Sequence, residues 1–135
     1  LSSSLKAFSN WAEGLFTFSI YLQIYKNRYN VVMEPSLIYK ALSNETRQQI
    51  LLWLKNPEKY FDEEPYLQQG ISFQVGVCVG EIQLKTGLAQ SVISSYLLTM
   101  KKAGLLESER IGKWTYYRRN EKTIQEFAEY VQKEL

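Results

Sequence analysis

Gln90, Ser91, Ser94 and Ser95 fall at i, i+1, i+4 and i+5 of the run "GLAQSVISSYLLTMKKAGLL" (87–106), a spacing that puts all four on one face of a helix. An amide and three hydroxyls both donate and accept hydrogen bonds, and they are short enough to let a helix approach a flat, polar surface closely. The chemistry on offer is recognition, not bond cleavage. With no histidine and a single cysteine, Cys78, the chain has no nucleophile–base pair, no intrachain disulfide and too few N or S donors for a tetrahedral metal site. Neither an enzyme nor a bound cofactor or metal is expected. Taken singly, each serine fits a plain solvent-facing helix position equally well.

Charge indicates what that face meets. Lys85, Lys101, Lys102, Arg110, Lys113, Arg118 and Arg119 stand against Glu107 and Glu109, so residues 85–119 carry +5 while the whole chain carries +2. A positive field confined to one region is the footprint of a polyanion-binding surface. At 135 residues, 45% hydrophobic and 22% charged, the chain has the length and composition of one globular domain with an extension. Its longest apolar-rich stretch, 15–25, is too short and too polar to span a bilayer, and no signal-peptide pattern is present, so a cytoplasmic location without membrane contact is expected.

The elements that position these residues follow from periodicity and breakers. In residues 1–32, Leu5, Phe8, Ala12 and Leu15 have helical spacing, whereas Phe16, Phe18, Ile20, Leu22 and Ile24 alternate with polar or aromatic neighbours as in a strand. This segment is expected to be an appendage, or an upstream reading of the coding frame, preceding a domain at 33–135. From Met33, Leu37, Ile38, Ala41 and Leu42 mark a helix opened by Pro35. A second follows, capped by Ser43 or Asn44 and buried through Ile50, Leu51, Trp53 and Leu54. Residues 56–76 read as a long loop with a short strand at 71–75, tied down by Tyr60, Phe61 and Tyr66.

A helix over 79–85, a break at Thr86-Gly87 and a second helix after Leu88 predict a helix-turn-helix. In the second helix Val92 or Ile93, Tyr96, Leu97 and Met100 face inward. Residues 105–110 and 114–119 form a hairpin with Ile111-Gly112-Lys113 at its tip, and Asn120 caps a closing helix striped with Ile124, Phe127, Ala128, Val131 and Leu135. The resulting fold class is mainly α (α+β), a winged helix-turn-helix with a two-stranded β-wing. Such a helix fits the major groove of double-stranded DNA. Gln90, Ser91, Ser94 and Ser95 would then contact bases or phosphates. Lys101, Lys102, Arg110, Lys113 and Arg118 supply positive charge for the backbone. The competing reading is a winged-helix protein–protein interaction module, for which basic wing margins have no use.

The stretches "ALSNETRQQILLWL" (41–54) and "GVCVGEIQLKTGLAQSVISSYLLTMKKAGLLESERIGKWTYYRRN" (76–120), together with the closing helix, resemble the ArsR/SmtB family of dimeric bacterial winged-helix transcriptional repressors. The resemblance covers residues 33–135. It implies flanking helices that pack as a homodimer interface, here through Leu37, Ile38, Ala41, Ile124, Phe127 and Val131. It also implies an inverted-repeat operator released by an inducer. The sequence departs from the family's metal sensors where their third helix carries Cys-Val-Cys: Cys78-Val79-Gly80 stands there. A metal inducer is therefore not expected. Cys78 reads as a buried small hydrophobe, or else a modifiable thiol, and an effector pocket for a small-molecule inducer would lie between the dimer helices and the aromatic loop. Ala89 before Gln90 gives the second helix of the motif a weak N-cap.

Overall fold

The computed structural model describes residues 33–135 and, from the preceding segment, only Glu13, Gly14, Thr17 and Ile20, all four helical. The chain divides into two units at Val32/Met33. Thr17 and Ile20 correct the strand expected there. Apolar residues are so dense between Leu15 and Tyr25 that a two-residue and a helical period fit the same letters. The expected helix positions Leu5, Phe8, Ala12 and Leu15 lie outside the described residues.

Pro35 occupies the first turn of α1 (Pro35–Leu42), where its missing N–H costs nothing. Asn44, not Ser43, caps α2 (Glu45–Lys55): its side-chain oxygen accepts from the Arg47 N–H at 3.0 Å, while Ser43 Oγ donates to the Lys40 carbonyl. Residues 56–76 are not a featureless loop. Pro57 and Pro65, both suggestive of a loop in sequence, sit in the first turns of two short helices, α3 (Pro57–Tyr60) and α4 (Glu64–Gln68). The strand expected at 71–75 is a turn. There Ser72 accepts the Val75 N–H at its carbonyl and the Gln74 N–H at its hydroxyl, and the Glu63 carboxylate holds the Phe73 N–H at 3.0 Å.

The strand comes two residues later, as β1 (Val77–Cys78), and runs directly into α5 (Val79–Thr86), α6 (Gln90–Lys102), β2 (Leu106–Ile111), β3 (Trp114–Arg119) and α7 (Glu121–Glu134). The expected two-stranded wing is thus a three-stranded antiparallel sheet in the order β1-β3-β2, with Val77 opposite Tyr117 and Glu107 opposite Arg118. Its hairpin turns through Gly112-Lys113 alone, because Ile111 pairs with Trp114.

The core is where α1, α2, α5 and α6 meet the base of the sheet. Ile38, Ile50, Val77, Ile82, Ile93, Leu97, Met100 and Leu105 are fully buried there, each worth about 1.5–3 kcal/mol relative to exposure. Ile38 and Ala41, expected at a subunit interface, belong to this core with 0% exposure. An amphipathic stripe shows that a face is covered without showing by what, and here α6 covers it.

Gly76 sits at φ +132°, and a Cβ there would stand 2.6 Å from the Tyr117 carbonyl oxygen and 2.9 Å from its nitrogen. Neither the dihedral nor the backbone can accommodate a side chain, so β1 reaches β3 only with glycine at this corner. Gly76→Ala is expected to destabilise the domain by about 1–3 kcal/mol. Chemical denaturation of the two proteins side by side checks this, and an unchanged midpoint would show that the corner relaxes freely.

Candidate nucleic-acid interface

The turn between α5 and α6 is set by local bonds. Gly87 adopts φ +70°, the left-handed conformation that ends α5, and donates its N–H to the Gln83 carbonyl at 3.0 Å. Thr86 Oγ1 donates to that same carbonyl and accepts the Leu88 N–H at 3.2 Å. The chain therefore leaves α5 in one direction and enters α6 at Ala89, whose methyl supplies no cap, so the first amides of α6 are left for an outside acceptor.

Gln90, Ser91, Ser94 and Ser95 are all exposed on α6, opposite buried Ile93, Leu97 and Met100. What fixes the helix's rotation was not singled out in the sequence. Tyr96 lies under the Arg47 guanidinium, 5.0 Å from ring centroid to Cζ, and its hydroxyl accepts from Asn44 Nδ2 at 3.3 Å. Arg47 also donates to the Ala41 carbonyl at 2.7 Å and the Lys40 carbonyl at 3.0 Å, closing the C-terminus of α1. Asn44 and Arg47 of "SNETR" thus lock α1, α2 and α6 together, and the arginine in that stretch was the available signal. Lys85 plays a similar part: its ammonium lies 5.3, 5.7 and 5.6 Å from the rings of Trp53, Tyr60 and Phe61, which pins α5 to α2 and α3.

The five cations expected to meet a polyanion separate into three situations. Arg110 and Lys113 are exposed at the wing tip, where Lys113 lies over the Trp114 ring at 5.4 Å and Arg110 Nε donates to the Gly112 carbonyl at 3.2 Å. Arg118 is committed elsewhere. It bonds the Glu107 carboxylate at 3.1 Å, Glu109 at 3.2 Å and the Val75 carbonyl at 3.0 Å, so it braces the sheet. Lys101 and Lys102 are exposed but occupy the last turn of α6, about 16 Å along the axis from Gln90. There they complement the helix dipole. Arg119 is likewise held, by Glu121 at 2.8 Å.

Cys78 is half-buried, not interior, because β1 alternates: Val77 points into the core and Cys78 away from it. It lines a cavity of about 260 Å³ with Tyr66, Glu81, Trp114 and Tyr116, so the aromatic loop borders a cavity against the wing. Tyr66 donates its hydroxyl to the Glu81 carboxylate and accepts the Cys78 N–H at 2.9 Å. Burial, with Asp62 nearby, raises Glu81 above the ordinary carboxylate range. Burial, then the Cys78 and Glu81 charges, raises Tyr116 in the same way. Among the described residues, no three His, Cys, Asp or Glu side chains come together as metal ligands, and no helix is long and apolar enough to cross a membrane.

A glycine-centred turn between two packed helices, followed by a β-hairpin with Arg110 near its tip and Lys113 in its two-residue turn, defines a winged helix-turn-helix. No protein-family model matches the chain. It is 46% identical over 104 residues to the uncharacterized HTH-type transcriptional regulator YbzH of Bacillus subtilis, a match spanning 76% of this chain and all of that relative. It is also 26% identical over 87 residues to the arsenic resistance transcriptional regulator ArsR1 of Pseudomonas putida, covering 64% of this chain and 55% of that one. Among solved structures, an ArsR-like transcriptional regulator from Rhodococcus sp. RHA1 has the same fold, with a TM-score of 0.53 at 19% identity over 73% of this chain and 76% of its own. The chain belongs to the ArsR/SmtB-type family of helix-turn-helix transcriptional regulators, a class of proteins that are not enzymes.

Proposed function

We propose that this regulator is a repressor that binds an inverted-repeat DNA operator as a homodimer, and that its inducer is not a metal ion. The observation carrying this is the face of α6. Four short hydrogen-bonding side chains stand exposed beside an uncapped helix N-terminus, on a helix whose rotation is locked by Arg47 and Tyr96. Seated in a major groove, Gln90 can pair with an adenine edge, and the serines and free amides can reach bases or phosphates. Arg110 and Lys113 at the wing tip supply the backbone contacts. The ligand count speaks against a metal inducer: Cys78 has Val79 and Gly80 beside it, and one thiolate per chain does not make a soft-metal site.

Homodimer formation is supported by α7. Thr123, Ile124 and Phe127 pack onto the domain, and Phe127 meets Tyr39 of α1 edge-on at 5.6 Å. The same stripe then continues through exposed Ala128, Val131 and Leu135, the last 82% exposed. The apolar surface outruns the core beneath it, and a second copy related by a two-fold axis would cover both stripes at once.

The test is selection of bound duplexes from a random library. An enriched inverted repeat is expected, and Gln90→Ala should then relax the preference at one base pair by about 1–3 kcal/mol without altering the salt dependence. If no duplex is preferred at moderate salt, the repressor reading fails and a protein-binding winged helix takes its place.

A further inference from the structure

The cavity beside the wing has no part in the DNA contacts, yet its walls come from both halves of the motif that makes them. Tyr66 comes from α4, Gln69 from its C-terminal cap, Cys78 from β1, Glu81 from the first turn of α5, and Trp114 and Tyr116 from one face of β3. The Tyr66 hydroxyl is saturated, since it gives its proton to Glu81 and accepts from the Cys78 N–H. Glu81 is not. Its carboxylate has no cationic partner among the described residues, and Asp62 adds negative charge to its surroundings. Lys85, one turn further along α5, is held instead by the rings of Trp53, Tyr60 and Phe61.

We propose that this cavity is the site of a small organic cation, an ammonium with an apolar body, bound between the Glu81 carboxylate and the rings of Trp114 and Tyr116. The chemistry excludes the alternatives. An anion would face the Glu81 carboxylate, and a metal ion would find one carboxylate and one thiol, short of a ligand set. A cation gains an ion pair with a partly desolvated carboxylate and the ring quadrupoles together. At about 260 Å³ the space falls just below the roughly 300–1,000 Å³ of pockets for drug-sized ligands, so the ligand is small.

On the reading of this chain as a DNA-binding regulator, the site also couples to the operator. Its ligand would touch α5, which sets the turn into α6, and β3, which begins immediately after the wing tip. Filling the space between Glu81 and Trp114 separates wing from helix, so occupancy disfavours the arrangement that grips both groove and backbone, by about tenfold in operator affinity.

The full chain carries one cysteine, and it lines the cavity, so alkylation of Cys78 by iodoacetamide followed by mass spectrometry reports occupancy. Benzylammonium is expected to slow alkylation at concentrations at least tenfold lower than its neutral counterpart benzyl alcohol. Glu81→Gln, which keeps an acceptor for Tyr66, should erase that difference. Trp114→Ala, at a half-exposed position that is no part of the core, should weaken benzylammonium protection even if the first variant folds poorly. Equal protection by both probes, no protection, or protection indifferent to both substitutions overturns the site. Operator affinity unmoved by saturating benzylammonium overturns the coupling. If the chain is protected but binds no duplex, the regulator reading fails and the cation site stands. If it binds its operator but is never protected, the cation site fails and the regulator reading stands.

Discussion

Replacing Arg110 and Lys113 together with alanine is expected to lower affinity for every duplex by on the order of 10²–10³-fold and to flatten the salt dependence. Both side chains are exposed at the wing tip, and neither has a carboxylate partner among the described residues. In a dimer the change removes four cations from the DNA backbone. At about 0.9 counterions released per phosphate contact, the slope of log K against log salt should become shallower by about 3 to 4. Arg118→Ala is the informative contrast. Its guanidinium already serves Glu107, Glu109 and the Val75 carbonyl, so its loss should leave the slope unchanged while loosening the sheet by well under about 1 kcal/mol, as partly exposed ion pairs do. Titrations of the three proteins at several salt concentrations decide the matter. If Arg118→Ala flattens the slope as much as the wing-tip pair, the phosphate contacts lie along the strands and not at the tip.

The difference between these arginines marks how far the sequence could be followed. The order of elements from residue 79 onward was legible because each boundary has a local cause: Gly87 ends α5, Asn120 caps α7 by accepting the Thr123 N–H, and apolar periodicity fixes the inward face of α6. Arg118 required a register. Once the hairpin turns through Gly112-Lys113, position 118 falls opposite 107, and a basic residue becomes a brace. That signal was present in the "Glu-Ser-Glu" of β2, but a three-residue tip at 111–113 misplaces it. The two short helices at Pro57 and Pro65 were missed for a related reason. Proline stops a preceding helix and also opens a following one, and only the neighbouring packing shows which role it takes. The cavity at Glu81 joins residues from 65 to 116 and has no signature in any single stretch.

The apolar stripes were legible as stripes, and the structure changes what should happen when they are altered. Ile38→Glu would now be expected to unfold the domain, because Ile38 lies within the core. Phe127 is also a poor probe, since it packs against that core and against Tyr39. Ala128→Glu with Val131→Glu addresses only the part of α7 that the domain leaves uncovered. The double variant should fold with an unchanged helical signal, sediment as a monomer and lose operator affinity by about 10²–10⁴-fold. Two linked recognition helices gain that much from effective concentration, and a single one cannot span half-sites roughly 34–36 Å apart. Its affinity for an isolated half-site should stay close to that of one wild-type protomer, because Gln90, Ser91, Ser94 and Ser95 remain as they were. Sedimentation velocity with parallel binding to full and half operators separates the outcomes. A variant that stays dimeric places the interface elsewhere. A monomer that binds the full operator normally would mean that each winged domain holds its site alone, and that the exposed end of α7 serves some purpose other than pairing.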